Sequence, residues 1–519
     1  MDRSPPDHSP DDGVAARLTD ALARDDTATA ALIVRDHMYE IWSERAELLG
    51  MALMRFTEAD YAAHPALALA RDSAGLQASD GTSPHRLDIE AVLPTLTYAQ
   101  QTQVIYLEMS LARYRREAEH SLAMGAELRR RLVRTTRALH APRPFDPEPV
   151  WINQLALTET LFGDTSTAIA DLREADRLST ADDRDSIRAD NHAKLAVLLA
   201  LRGNIAEART ALTRGRPLAS WQPAPHEFTA RIAETAAALI ATESMSPDAE
   251  EILAAADRPV NEAADELWPV LLLARGRHAL AHQGAAGVLE LTATAAAAGP
   301  FPEGGLTQDV IASLTGSALV ELGDLTRAQE ALSGERPGWL VRVARLRLLI
   351  ARGAHRQFQT DARRLLTAPR APLAQRAETT LLSAWADLLH RGGADPGSAM
   401  QIADVARDGL IRPLTTVPRD VLTALAETLP STRREGFEAA FASLPGHSPA
   451  TALAPLTERE LGVLRALAEE SSITELGRQL FLSPNTVKTH LRAVYRKLGV
   501  RSRDEALDEA ARLGILPSP

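Results

Sequence analysis

Along residues 483 to 498 the apolar positions Val487, Leu491, Val494 and Leu498 recur at i, i+4, i+7 and i+11. That spacing predicts a helix with one buried stripe. At about 100° per residue, Asn485, Lys488, Thr489, Arg492 and Arg496 fall on the opposite side, which gathers amide, ammonium, hydroxyl and guanidinium groups on one ridge. Two readings suit such a ridge. One is a solvated amphipathic helix. The other is a surface for the DNA major groove, where Lys and Arg read guanine and Asn reads adenine.

Flanking patterns add three more helices. Thr457-Glu458-Arg459-Glu460, Ser472-Ile473-Thr474-Glu475 and Ser502-Arg503-Asp504-Glu505 each have the Ser/Thr-x-x-Glu form of a capping box. Ser483 followed by Pro484 supplies a fourth helix start, because proline at the first helical position loses no needed donor. Helices are predicted near 457–469, 472–481, 483–498 and 502–513. Leu461, Leu464 and Leu467 face inward from the first, and Leu476 and Leu480 from the second. The short Phe481-Leu482-Ser483 link makes the second and third a helix-turn-helix with the third as reader.

The runs Leu456 to Glu460, Leu482 to Leu491 and Tyr495 to Arg503 closely resemble the LuxR-type helix-turn-helix of bacterial transcription regulators, over about 60 of the 519 residues. The resemblance implies that Lys488, Thr489 and Arg492 face the bases. It implies that Ser483, Asn485, Thr486, Arg496, Lys497 and Arg501 hold phosphates. It also implies a dimer contact in the last helix, where Leu507, Ala510 and Ala511 form a small apolar stripe. A helix packing inside its own domain would show the same stripe. Two positions depart from the family pattern: Glu470 stands where a glycine is usual, and Gly477 where an alanine is usual. Glycine in a helix interior costs about 1 kcal/mol against alanine.

The rest of the chain is rich in Ala, Leu and Arg, with Pro and Gly breaks before any alternating pattern develops, so it reads as helices joined by short turns. Three windows share small residues at +7 and then +5: Ala156, Gly163 and Ala168; Ala196, Gly203 and Ala208; Gly316, Gly323 and Ala328. In each, Asp or Asn follows the middle glycine, and Leu172, Leu212 or Leu332 lies four residues beyond the last position. This is the small-residue pattern of a tetratricopeptide helix pair. Such arrays present a concave face and bind peptides, proteins or small ligands. Asn153 and Thr160 are inner-face candidates, while Trp151, Trp221, Trp268, Trp339 and Trp385 read as helix-pair core. The expected architecture is all-α: an arm at 1–13, a TPR-like body at 14–442, a Pro- and Gly-containing linker at 443–455 and the helix-turn-helix domain at 456–516.

Charge sharpens this division. From Ala452 onward ten Lys or Arg face nine Asp or Glu, and positions 484 to 503 hold six basic residues and no acid, while the remainder carries a net charge of −13. An acidic body with a basic end should meet DNA through that end, with strong salt dependence. Lys194, Lys488 and Lys497 are the only lysines and none follows a glycine, so no GxxxxGK[ST] phosphate loop exists in this sequence. The body resembles the repeat region of large ATP-binding LuxR regulators without that motif.

Cysteine is absent, which excludes disulfides and thiolate metal sites and fits a cytoplasmic setting. The polar, proline-rich start does not read as a signal peptide, and no apolar run reaches the roughly 18 to 20 residues of a membrane span. No catalytic constellation, cofactor motif or metal-ligand spacing is found. The sequence therefore predicts a DNA-binding regulator, by resemblance an activator. Its expected partners are double-stranded promoter DNA, RNA polymerase, and a small-molecule or protein effector on the repeats, with a homodimer on the DNA. The competing reading is a protein-interaction scaffold whose helix-turn-helix has lost specific DNA binding.

Overall fold

The computed structural model describes residues 13–78, 88–138, 147–179, 185–215, 225–257, 265–335, 337–391, 395–442, 444, 456, 458–469, 472–498, 502–512 and 516. Among the described residues every regular element is helical and there is no strand. The helices begin and end on local chemistry. Thr97 caps Tyr98–Tyr114 in a reciprocal box with Gln100, and Thr57 does the same with Asp60 ahead of Glu58–Ala63.

The three small-residue windows fall on helix pairs: Glu148–Phe162 with Thr165–Leu178, Asp185–Arg202 with Ile205–Gly215, and Leu306–Glu321 with Leu325–Ala331. The middle glycine ends the first helix of each pair. Gly203 and Gly323 do so at φ of 91° and 79°, a left-handed conformation that costs glycine little. In the first and third pairs the aspartate after the glycine caps the second helix. The Asp164 carboxylate accepts from the Ser166 and Thr167 N–H groups, and Asp324 accepts from the Arg327 N–H. Ala156, Ala168, Ala196, Ala208 and Ala328 are buried, and a Cβ added at Gly316 would stand 2.5 Å from Leu332 Cγ. Small residues are therefore set by close helix crossing. Trp268 and Trp385 are core, Trp151 and Trp339 are half-buried, and Trp221 lies outside the described residues.

The chain divides into two compact units. The first comprises Met1–Leu198, Glu207–Ala236 and Asn261–Trp268. One of its cores joins Leu18, Val34, Ile41, Leu67, Leu69, Val104 and Leu111, and another joins Ile105, Met109, Leu128, Leu155 and Ala175. The second unit comprises Leu199–Ala206, Ala237–Val260 and Pro269–Pro519.

Its helical part contains a buried ion network. Arg277 Nη1 and Arg412 Nε donate to Glu243 Oε1 at 2.6 and 2.8 Å, Arg347 Nη2 donates to Glu378 Oε2 at 2.6 Å, and Arg412 Nη2 also donates to Glu378. Nearby, the Asp309 carboxylate caps a neighbouring helix, Trp339–Ala351, by accepting from the Leu340 and Val341 N–H groups at 3.0 Å each. Of the predicted boundaries, the arm at 1–13 and the linker at 443–455 fall almost wholly outside the described residues.

Candidate nucleic-acid interface

Four helices occupy the C-terminal part of the second unit: Glu458–Glu469, Ile473–Leu480, Pro484–Leu498 and Arg503–Arg512. Val463, Leu464, Leu467, Leu476, Val487, Leu491, Val494 and Ala510 form their shared core. Val487 and Val494 are fully buried, so the apolar stripe on the third helix packs as its spacing requires. The inward side of the first helix is rotated slightly from expectation. Leu461 is half-buried and Val463 is buried instead. Leu498 is helical, but its side chain lies outside the described residues.

The turn between the second and third helices is tight for identifiable reasons. Phe481 ends the second helix in the left-handed region at φ 56°, and the Leu482 N–H donates back to the Gly477 carbonyl at 2.8 Å. A Cβ at Gly477 would stand 2.7 Å from the Leu482 carbonyl oxygen. The glycine that weakens the helix interior thus permits a closer turn than alanine would. Ser483 then opens the third helix, where its Oγ accepts from the Thr486 N–H at 3.1 Å and lies 2.7 Å from Thr486 Oγ1. Ser502 caps the last helix similarly, accepting from the Glu505 N–H at 3.2 Å. Ser472 departs from the capping-box expectation: its side chain makes no capping bond to the second helix. Thr457 and Glu470 lie outside the described residues.

The opposite side of the third helix is open to solvent. Ser483, Asn485, Lys488, Thr489 and Arg492 are exposed and Thr486 is half-buried. Lys488 and Arg492 have no carboxylate partner among the described residues. Thr489 Oγ1 donates to the Asn485 carbonyl at 3.0 Å, which leaves the hydroxyl lone pairs and the methyl facing outward. Arg496 and Lys497 are on the same helix, although their side chains, and Arg501 altogether, lie outside the described residues. The structure therefore brings Lys488, Thr489 and Arg492 together on one ridge, beside a helix N-terminus formed by Ser483, Asn485 and Thr486. The positive end of the helix dipole favours phosphate there.

The last helix is divided. Ala510 is fully buried within its own domain, Leu507 is half-buried against that core, and the Ala511 side chain lies outside the described residues. Arg503, which sequence reasoning left without a role, donates from Nη2 to the Leu467 carbonyl at 2.9 Å and so ties the last helix to the end of the first. Its place as the last of the six basic residues at 484 to 503 gave no signal of this, because the partner is a carbonyl distant in sequence. Phe481 was likewise not singled out, yet it is 95% exposed at the turn. Among the described residues no group of three or more His, Cys, Asp or Glu is placed to hold a metal ion.

The family described as "Bacterial regulatory proteins, luxR family" matches residues 454–510. Over 66 residues the chain is 47% identical to a candidate HTH-type transcriptional regulator of Mycobacterium bovis, covering 13% of this chain and 8% of that protein. It is 52% identical over 48 residues to a nitrate/nitrite response regulator protein homolog of Haemophilus influenzae, covering 9% and 23%. It is 42% identical over 59 residues to the HTH-type transcriptional regulator MalT of Yersinia pestis, covering 11% and 6%. The chain thus spans only a small fraction of the length of the relatives it matches. The C-terminal four helices are a LuxR-family helix-turn-helix domain, the DNA-binding part of transcription regulators. No described helix is long and apolar enough to cross a membrane.

Proposed function

We propose that the chain is a sequence-specific transcription regulator whose helical body senses an effector. The observation that carries this reading is the exposed ridge of Lys488, Thr489 and Arg492 on a helix whose other face is sealed in the core. Lys488 and Arg492 read base edges, with the Thr489 methyl suited to a thymine methyl. Ser483, Asn485, Thr486, Arg496, Lys497 and Arg501 hold phosphates and set the register. The protein binds promoter DNA as a dimer, with Leu507 contributing from the last helix, and it acts as an activator through RNA polymerase in the cytoplasm.

Selection of genomic fragments by the purified full chain tests this reading. Enrichment of one two-fold-symmetric motif, lost in Lys488→Ala/Arg492→Ala, is expected. Enrichment independent of sequence would instead mean that the domain grips phosphates without reading bases.

A further inference from the structure

The first unit contains an open cavity of about 360 Å³, walled by the helices Thr27–Arg55, Pro65–Ala78, Tyr98–Tyr114, Glu148–Phe162, Asp185–Arg202 and Pro225–Glu243. That volume lies within the range of small-molecule sites. Three features distinguish it from a packing defect.

Lys194 is the first. It is the only lysine before the DNA-binding domain in a chain that otherwise uses arginine, and it sits at the cavity 6% exposed. Its Nζ donates to Asn153 Oδ1 and Asp190 Oδ2, both at 2.7 Å, which occupies two of three donors and leaves one to offer.

Gly50 is the second. It lies inside a helix, where glycine is disfavoured against alanine, and a Cβ there would meet nothing within 4 Å. No neighbouring protein atom explains the missing side chain, and Gly50 lines the cavity.

The third is the character of the walls. Tyr39, Tyr106, Trp42 and Phe228 supply aromatic surface, and Trp42 and Phe228 remain 41% and 42% exposed. Large aromatics left open beside a cavity suit flat apolar partners. The charged residues balance, because Arg113, Lys194 and Arg231 stand with Asp190, Asp265 and Glu266. Arg113 Nε is already committed to Glu266 Oε1 at 2.8 Å. A ligand that carried net charge would enter buried surroundings with no surplus counter-charge.

The geometry points to an effector site for an uncharged aromatic molecule bearing a carbonyl or hydroxyl oxygen, which accepts from Lys194 while its ring lies along the aromatic wall and over Gly50. This rests on the reading of the body as a sensor and names the chemistry sensed.

Titration of the full chain with prodan, an uncharged fluorescent naphthyl ketone, tests the proposal. Saturable binding with a blue-shifted emission is expected. Gly50→Leu should abolish it by filling the cavity, while raising helix propensity and so preserving the fold. Lys194→Met should weaken it roughly tenfold through the lost hydrogen bond. Absence of saturable binding, equal binding by Gly50→Leu, or equally tight binding of the anionic dye anilinonaphthalenesulfonate would each overturn the assignment. DNA binding by Gly50→Leu, measured without dye, reports on the reader alone, so failure of the regulator reading and failure of the pocket give different results.

Discussion

Replacing Glu378 with glutamine removes one of two carboxylates that hold Arg277, Arg347 and Arg412 inside the second unit. Glu378 is 3% exposed, with Arg347 Nη2 at 2.6 Å, Arg277 Nη2 at 4.0 Å and Arg412 in direct contact. Burial alone would push its carboxyl up, but the combined charges of Arg412, Arg347 and Arg277 overcome burial and hold it at about 2, below the ordinary 4.5. At 1.36 kcal/mol per pH unit that difference corresponds to about 3 kcal/mol of stabilisation. Breaking a buried ion pair by removing one partner costs about 3 to 5 kcal/mol, so the two routes agree. Because the folded value is depressed, the contribution is complete above pH 4.5 and is lost as pH falls toward about 2. A chain of this size opens in several cooperative steps, so local hydrogen exchange serves better than one melting temperature. At neutral pH, peptides from Leu373–Arg391 should exchange roughly a hundredfold faster in Glu378→Gln, at about 1.4 kcal/mol per tenfold. Exchange within about threefold of the parent would refute the claim that this network is a main support of the unit.

Asp309 should show the opposite pH behaviour. Burial raises its carboxyl to about 6 against the opposing bonds from the Val341 and Leu340 N–H groups, so its protonation stabilises the fold as pH falls from about 6 toward 4. Protection of Trp339–Ala351 should rise across that window and lose the rise in Asp309→Asn. Leu491→Ala removes a side chain buried in the domain core, and it should cost the C-terminal domain about 2 to 5 kcal/mol and weaken binding to every sequence in proportion to unfolding. Hydrogen exchange of peptides from Pro484–Leu498 in the full chain would check this. A loss of discrimination without a loss of stability would contradict the assignment of Leu491 to the core.

The helix-turn-helix was legible because its signals are local. Ser483 with Pro484 marks a helix start within one turn, and the Val487, Leu491, Val494 spacing declares a buried face, so helix bounds were read to within about a residue. The paired glycines and acids at 163–164 and 323–324 were legible for the same reason. Ser472 failed as a cap because the motif records only the opportunity for a bond. Gly477 was read as a local weakness, whereas its reason is a carbonyl brought in by the following turn. In the body, Glu243, Arg277, Glu378 and Arg412 look like solvated helix charges, and only tertiary packing converges them. Lys194 and Gly50 gave no sign of the cavity, since it is made by six helices distant in sequence.

Base reading by Lys488 and Arg492 is tested by competition binding of the full chain to its selected site against a scrambled site of equal length, over a series of salt concentrations. Lys488→Ala and Arg492→Ala should each lose about 1 to 3 kcal/mol of preference for the selected site, while Arg496→Ala should weaken both DNAs alike and lower the salt slope by about one. Equal weakening on both DNAs in Lys488→Ala and Arg492→Ala would contradict it and assign those side chains to the phosphates.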